Sequence, residues 1–415
     1  EDLSRGLGDV YKRQLIARAA GQSGVSAGDV VICKVDLAMI HDSGGPRRVK
    51  PMLERLGRRV WDRERVVVVT DHYVPADNEE TRAIQALTRQ WVRDEEIANF
   101  YDQQGICHVV LPERGHLSPG MFCVGGDSHS PTGGAFGAYM FGVGATEMAG
   151  VLATGEIWLR VPETILIQWN NSLGACVTAK DMMLAVCGEI GMGGGRYQAI
   201  QYAGTAIRNL SMQERMTMSN MAAELGAQAG LIAPDEITAD YVRAAGGTLA
   251  EDWADYAIEA ADRPEDHLTF DAAELAPQIA APHSPANAAD AAEFENTKFD
   301  VAYIGACTGA KYVDLAAAAS VLKGRRIASG ITLKVAPASK QTRTVPLTRA
   351  SCRSSRRQVR SSSRTAAASA QDTATTGLPK TRSACPRQRV ISRAGWARPA
   401  RRFIWRRPTR LPPLR

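Results

Sequence analysis

From Leu15 onward the chain alternates two kinds of hydrophobic pattern. Short runs rich in β-branched residues end abruptly in polar ones: "DVVICKVDLAMI" at 29–40, "RVVVVTDHYV" at 65–74, "MFCVGGDSH" at 121–129 and "ETILIQW" at 163–169. Between them lie longer stretches with helical spacing and dense charge, such as "NEETRAIQALTRQWVRDEEIANFYDQQG" at 78–105. The run "ICHVVLPE" at 106–113 predicts a further short buried strand. Strands alternating with helices define an α/β protein with mostly parallel sheets. A last strand, helix and strand follow in "FDVAYIGACT", "YVDLAAAASVLKG" and "ITLKVAPAS". The Ala/Pro-rich stretch 271–294 before them reads as a linker or exposed crossover.

In parallel α/β sheets, ligands gather beyond the carboxyl ends of the strands. Three such ends carry histidine: Asp71-His72 after "VVVVT", His108 after "GIC", and Asp127-Ser128-His129 after "MFCVGG". An aspartate beside a histidine sets its tautomer and raises its pKa, which suits a proton donor. It also suits a plain surface turn. The glycines around "GGDSHSPTGGAFG" allow positive φ and close approach of backbone to a small ligand. In "SMQERMTMSNMAAELGAQAGLIAPDE" the methionines have the spacing of core residues. Asn220 and Glu224, four apart, share a helix face that either orients a hydroxy acid or faces solvent. Cys307 closes an apolar strand ahead of a helix, where backbone N–H groups favour a thiolate; a buried free cysteine is the plainer reading.

Charge divides the chain sharply. The formal net charge of the 415 residues is +6, yet residues 341–415 hold 19 Lys+Arg and one acid, Asp372, leaving 31 basic and 43 acidic residues before them. The body is therefore acidic and the tail basic. Eight cysteines without a compact disulfide spacing point to a reducing, cytoplasmic setting. There is no secretory signal pattern, and Glu147 interrupts the glycine-rich run that would otherwise resemble a membrane span. Residues 1–14 lack a clear period and read as a non-native leader.

Together, "DLAMIHDSGGP", "VVVVTDHYVPADN", "GICHVVLPERGHLSPGMFCVGGDSHSPTGGAFGAYMFGVGATEM", the "RMT" to "GLIAPDE" segment and "IGACTGAKYVDL" resemble the aconitase family in that order, over about residues 15–340. The resemblance implies interleaved three-layer α/β/α lobes, with lobes one and two in 15–294 and the start of a third in 295–340. It implies a hydro-lyase that isomerises a 2-hydroxy diacid. 3-Isopropylmalate is the leading substrate, and homoaconitate, citramalate or a dimethylmalate are alternatives. It implies a [4Fe–4S] cluster held by three cysteines, with one iron open as Lewis acid. Asp71 and His72 then belong to the network that protonates the leaving hydroxyl. Asp127 and His129 surround cluster and substrate, with Ser128 beside them. Glu224 and Asn220 lie on the hydroxyl and cluster sides, and His41 and His108 support the site or touch substrate. Cys307 is the first cluster ligand. The family's proton-abstracting serine sits on a swivelling domain, expected here on a separate small subunit.

The pattern breaks after about residue 340. The family's next two cluster ligands are spaced C-x-x-C, whereas only Cys352 and Cys385 follow Cys307. The arginine-bearing segment that grips substrate carboxylates is missing as well. The stretch "AAASAQDTATTGLP" at 366–379 permits, one base out of frame, the reading "CGVCAGYGNDRLA". A frameshift near 341–350 accounts for the basic tail, and the chain as written is expected to be inactive. The alternative, from another class of function, is a genuine basic tail that binds RNA or an anionic surface.

Overall fold

The computed structural model describes residues 11–256 and 266–344. Most of the leader and nearly all of the basic tail, with Cys352 and Cys385, lie outside the described residues. Helix α1 (Tyr11–Ala20) begins inside the segment read as leader. The run 29–40, predicted as one strand, is two: β1 (Val30–Lys34) and β2 (Leu37–His41). There follow α2 (Pro46–Leu56), β3 (Val66–Thr70), α3 (Glu79–Asp94), β4 (Asn99–Asp102), α4 (Cys107–Glu113), β5 (Phe122–Gly125), β6 (Tyr139–Gly142), α5 (Ala145–Thr154) and β7 (Glu156–Arg160). Five of these strands form one parallel sheet in the order β4-β3-β2-β5-β6. Every residue of β2 and β3 is buried. Strands covered on both faces carry continuous apolar runs rather than alternation, which is why "VVVV" occurs.

The second half contributes β8 (Thr164–Asn170), α6 (Ala179–Ile190), β9 (Ala199–Ala203), α7 (Thr205–Asn209), α8 (Met212–Asn220), β10 (Ala229–Ile232), α9 (Glu236–Ala244) and β11 (His267–Asp271). Its four strands form a second parallel sheet, β10-β9-β8-β11. The chain then makes a small antiparallel pair, β12 (Gln278–Ala280) and β13 (Ala288–Asp290), and a parallel pair, β14 (Val301–Ile304) and β15 (Thr332–Val335), around α10 (Tyr312–Leu322). The last described element is α11 (Lys340–Thr344).

The halves interleave. One core cluster joins Met39, Val67 and Cys123 of the first sheet to Met212 and Met216 of α8, Val242 of α9 and Ala338 near the described end. The methionines of α8 are thus core, as their spacing predicts. Arg215 of the same helix is buried and donates to both oxygens of Asp235, at 2.7 and 2.6 Å. Asp235 also accepts from the backbone N of Thr238 and so caps α9. The Arg and Asp of "RMT" and "APDE" are therefore a structural clamp.

Two sequence expectations change and a third narrows. Residues 106–113 form helix α4, not a strand; a short apolar run fits either, and the Asp71 Oδ2 accepts the Cys107 N–H at the helix start, at 2.7 Å. Of the two readings of 271–294, the exposed crossover agrees with the structure and the free linker does not: its residues other than Ala272 stay half-buried or exposed, and the backbone N of Gln278 donates to Asp181 of α6 at 2.7 Å. The glycines of 125–144 chiefly admit protein, not ligand. Gly137 alone among them has positive φ, at 71°. Gly134 presses against the Gly230 carbonyl, and a methyl on Gly142 would lie 2.6 Å from the Asp127 carbonyl oxygen.

That last contact makes a test. Gly142→Ala should cost about 1–3 kcal/mol, because a backbone carbonyl cannot step aside. Gly150→Ala, on α5 with nothing within 4 Å of the added methyl, should be neutral or stabilising by up to about 1 kcal/mol. Chemical denaturation of the two variants checks this; equal stability of the pair would contradict it.

Candidate active site

Strand β2 lies between β3 and β5, all parallel, so their carboxyl ends meet on one edge. This brings His41 and Asp42, Asp71 and His72, and Gly126 and Asp127 together from three distant parts of the sequence. Helix α4 adds His108 in its first turn, and the 3-10 segment Ser130–Phe136 follows His129 directly.

Asp127 is the centre. Its Oδ1 lies 2.7 Å from His108 Nε2 and accepts the His129 backbone N–H at 2.8 Å. Its Oδ2 lies 3.6 Å from His72 Nε2 and 3.7 Å from His41 Nε2. Burial alone would raise the carboxyl's pKa. The charge and hydrogen bonds of the histidines overcome it and hold Asp127 well below the ordinary carboxylate range.

His41 and His72 stack with centroids 3.9 Å apart and planes within 11°, yet their environments drive them to opposite charge states. His41 Nδ1 accepts from the backbone N–H groups of Ser43 and Gly44, at 3.2 and 3.3 Å, and Nε2 donates to the Gly126 carbonyl at 2.9 Å. Burial, together with the neighbouring His72 cation, pushes its pKa down to about 4, so it is neutral. His72 Nδ1 donates to Asp71 Oδ1 at 2.7 Å. Burial opposes the charge on His72, but Asp71 and Asp127 outweigh it and raise its pKa to about 11.

Asp42 was not singled out by its sequence, where one aspartate before "SGG" resembles a turn. It is fully buried, and its carboxylate accepts the backbone N–H groups of Asp71, His72 and Tyr73 at 3.3, 3.1 and 3.4 Å. Burial and the nearby Asp71 raise its pKa to about 6. The side-chain atoms of His41, Asp42, Asp71 and His72 lie close enough to hold a cation, but backbone groups already engage His41 and Asp42, and Asp71 and His72 bond each other.

On the opposite wall, His129 Nε2 is 3.2 Å from Glu224 Oε1, and its Nδ1 is 3.2 Å from Ser128 Oγ. Burial opposes charge on His129, but Cys307, Asp127 and Glu224 raise its pKa well above the usual value. Helix α8 ends at Asn220 and a 3-10 turn leads to Glu224, so the two do not share one continuous helix face. They nevertheless reach the same cleft. Asn220 donates to Thr132 Oγ1 at 2.8 Å and accepts from Cys307 Sγ at 3.5 Å. Cys307 sits in the turn between β14 and α10, five residues before the helix starts. Thr132 is another residue the sequence reading passed over. Its hydroxyl donates to the His129 carbonyl at 2.6 Å and so ties Asn220 to the His129 segment.

Exposure separates the roles. His72, Asp127, His129 and Glu224 keep 16–23% of their side chains open, whereas Asp42 and Asp71 keep 0–1% and His41 and His108 keep 5%. The first four line the cleft and the others hold them.

Carboxylates and imidazoles thus gather at the carboxyl edge of a parallel sheet, the place where α/β folds bind their ligands. The chain belongs to the aconitase family: the model of the aconitase family (aconitate hydratase) matches residues 9–296 and 287–347. The 3-isopropylmalate dehydratase large subunit 1 of Methanopyrus kandleri is 42% identical over 336 residues, covering 81% of this chain and 79% of that protein. The probable methanogen homoaconitase large subunit of Methanothermobacter thermautotrophicus is 40% identical over 336 residues, covering 79% and 77%. The holo-form of Thermococcus kodakaraensis aconitase X matches at 12% identity with a TM-score of 0.42, over 75% of this chain and 73% of that one, too slight a likeness to bear on the fold.

Membership implies a [4Fe–4S] cluster, which takes three thiolates. The described residues bring Cys307 to the cleft. Cys107 is close by, but burial and the charges of Asp71, Asp127 and Cys307 push its thiol well above the usual range. Cys33 and Cys187 are core thiols, pushed up to about 12 by burial, Cys123 is likewise held up, and Cys176 is exposed elsewhere. Among the described residues the donor set is incomplete, and the cluster does not fit it.

The stacked pair predicts two histidines with opposite titrations. By NMR, His72 should remain protonated at pH 8 and His41 neutral at pH 5.5. Asp71→Asn should lower the His72 pKa by about 1–3 units. Since His72 is raised from 6.5 to about 11, its contribution to stability is complete below pH 6.5 and fades as pH rises toward 11. Ordinary titration of His72 near 6.5 would contradict the assignment.

Proposed function

We propose that this chain is the large subunit of a hydro-lyase that isomerises a 2-hydroxy diacid by removing and re-adding water, with 3-isopropylmalate as substrate. The observation that carries this is the meeting of Asp71-His72, Asp127, His129-Glu224 and Cys307 in one cleft at the carboxyl edge of the first sheet. The printed names of the relatives support the substrate, and homoaconitate, which shares the chemistry, is the second reading.

In this reading the chain's own residues manage charge and protons. The His72 and His129 cations attract the substrate's carboxylates. A proton held as firmly as that on His72 passes only to a strong base, which a departing hydroxyl is. Asp71 fixes the His72 tautomer and supports its charge, and Asp42 holds the turn that carries both. Ionised Asp127 keeps the two cationic walls in register. His41 and His108 brace Asp127, Ser128 and Glu224 orient His129, and Asn220 orients Cys307. The partner is a small subunit, in keeping with relatives named large subunits. That subunit supplies the swivelling domain and the base that takes the α-proton.

Two further cluster cysteines are expected from the shifted frame after about residue 341, so the activity belongs to the frame-restored chain. Mixed with candidate small subunits, that chain should produce the ultraviolet absorbance of the unsaturated intermediate from 3-isopropylmalate. His72→Asn should lower kcat by about 10²–10⁴ with a smaller change in KM. No absorbance change with any of the candidate acids would refute the hydro-lyase reading. Turnover of homoaconitate alone would move the assignment to the second substrate.

A further inference from the structure

Strands β1 and β7 pair only with each other among the described residues, as an antiparallel ribbon. Its inner face, with Val31, Cys33 and Leu159, is buried in the first core. Its outer face carries three exposed apolar side chains, Val30 at 67%, Ile32 at 63% and Trp158 at 66%, flanked by Lys34, Glu156 and Arg160. Trp158 also lines a groove of about 400 Å³ shared with Arg160, Arg196 and Tyr197, the last 61% exposed. Scattered apolar side chains are normal on a surface, but a tryptophan set beside isoleucine and valine on one ribbon face marks a contact surface.

The register arranges that face in a self-complementary way. Ile32 stands opposite Trp158 at the centre, Lys34 opposite Glu156 at one end, and Val30 opposite Arg160 at the other. Laying a second ribbon face to face by a twofold axis stacks the apolar centres. If the axis crosses the strands, Arg160 meets Glu156 of the second copy twice. If it runs along them, Lys34 meets Glu156 of the second copy twice. A twofold contact requires such self-matching of one patch.

Position argues against the small subunit as occupant. The Lys34–Glu156 end of the ribbon leads through Val35 and Asp36 into the amino end of β2, where the backbone N of Asp36 donates to the Phe122 carbonyl. The cleft lies at the opposite, carboxyl end of that sheet; the groove beside Trp158 reaches that edge at Val143 and Glu147 but includes none of the cleft's residues, so the contact is assigned to a second copy on the self-matching charges of the ribbon face. We infer that the outer face of the β1–β7 ribbon joins two copies of this chain in a twofold dimer.

Sedimentation velocity on the full chain over a range of concentrations tests this. A reversible dimer is expected. Trp158→Asp and Ile32→Asp should each weaken it on the order of tenfold or more while leaving the circular dichroism of the folded chain unchanged, since neither side chain supports the core. Arg160→Glu or Lys34→Glu should weaken it too. One of two charge swaps, Glu156→Arg with Arg160→Glu or Glu156→Lys with Lys34→Glu, should restore it and reveal the axis. A chain that stays monomeric, a dimer indifferent to Trp158→Asp, or failure of both swaps would overturn the proposal. So would loss of small-subunit binding by Trp158→Asp, which would give the face to that partner.

Discussion

The ionised carboxylate of Asp127, enclosed by His41, His72, His108 and the amide of His129, is the constraint around which the cleft is built. A buried carboxylate without partners would take up a proton. With imidazoles on each side it stays charged, and its charge in turn keeps His72 and His129 cationic. Geometry follows from this. His108 must sit at the start of α4, so α4 must begin where Asp71 can accept the Cys107 N–H. Asp71 must therefore lie at the end of β3, beside the β2 strand that delivers His41 and Asp42. The network is mutually dependent, and removing one member leaves others buried without a counter-charge.

The same network explains a division of labour between neighbouring aromatic rings. His41 and His72 stack, but one reads backbone N–H groups with its Nδ1 and the other reads a carboxylate. Two cations stacked at that distance would repel strongly in a buried site. Fixing His41 as the neutral tautomer lets His72 carry the charge alone and face the open cleft.

Much of this was legible in the sequence, for a definite reason. Parallel sheets place ligands at strand carboxyl ends, so polar residues following "VVVVT" and "MFCVGG" marked the cleft before any coordinates did. Spacing and strand ends singled out Asn220, Glu224 and Cys307, but the family resemblance supplied His41 and the expectation that all four converge, which no local pattern reveals. What was not legible is equally instructive. An apolar run of eight residues does not choose between strand and helix, and α4 is decided by a carboxylate 36 positions away. The glycines around Gly134 serve contacts with a distant strand, which composition cannot show. Asp42 resembles a turn residue until the three backbone amides it gathers are seen. The outward face of the β1–β7 ribbon was hidden because "DVVICKV" reads as core throughout.

The central proposal is that the cleft is an aconitase-type site to which the described residues bring one cluster thiol, Cys307. Anaerobic reconstitution with iron and sulfide, read by visible absorbance, tests it most directly. The chain as written should give little of the broad absorbance of a [4Fe–4S] cluster, while the chain with its frame restored from about residue 341 should give it strongly, and Cys307→Ala in that background should abolish it. Stable incorporation of a cluster by the unmodified chain would contradict the account.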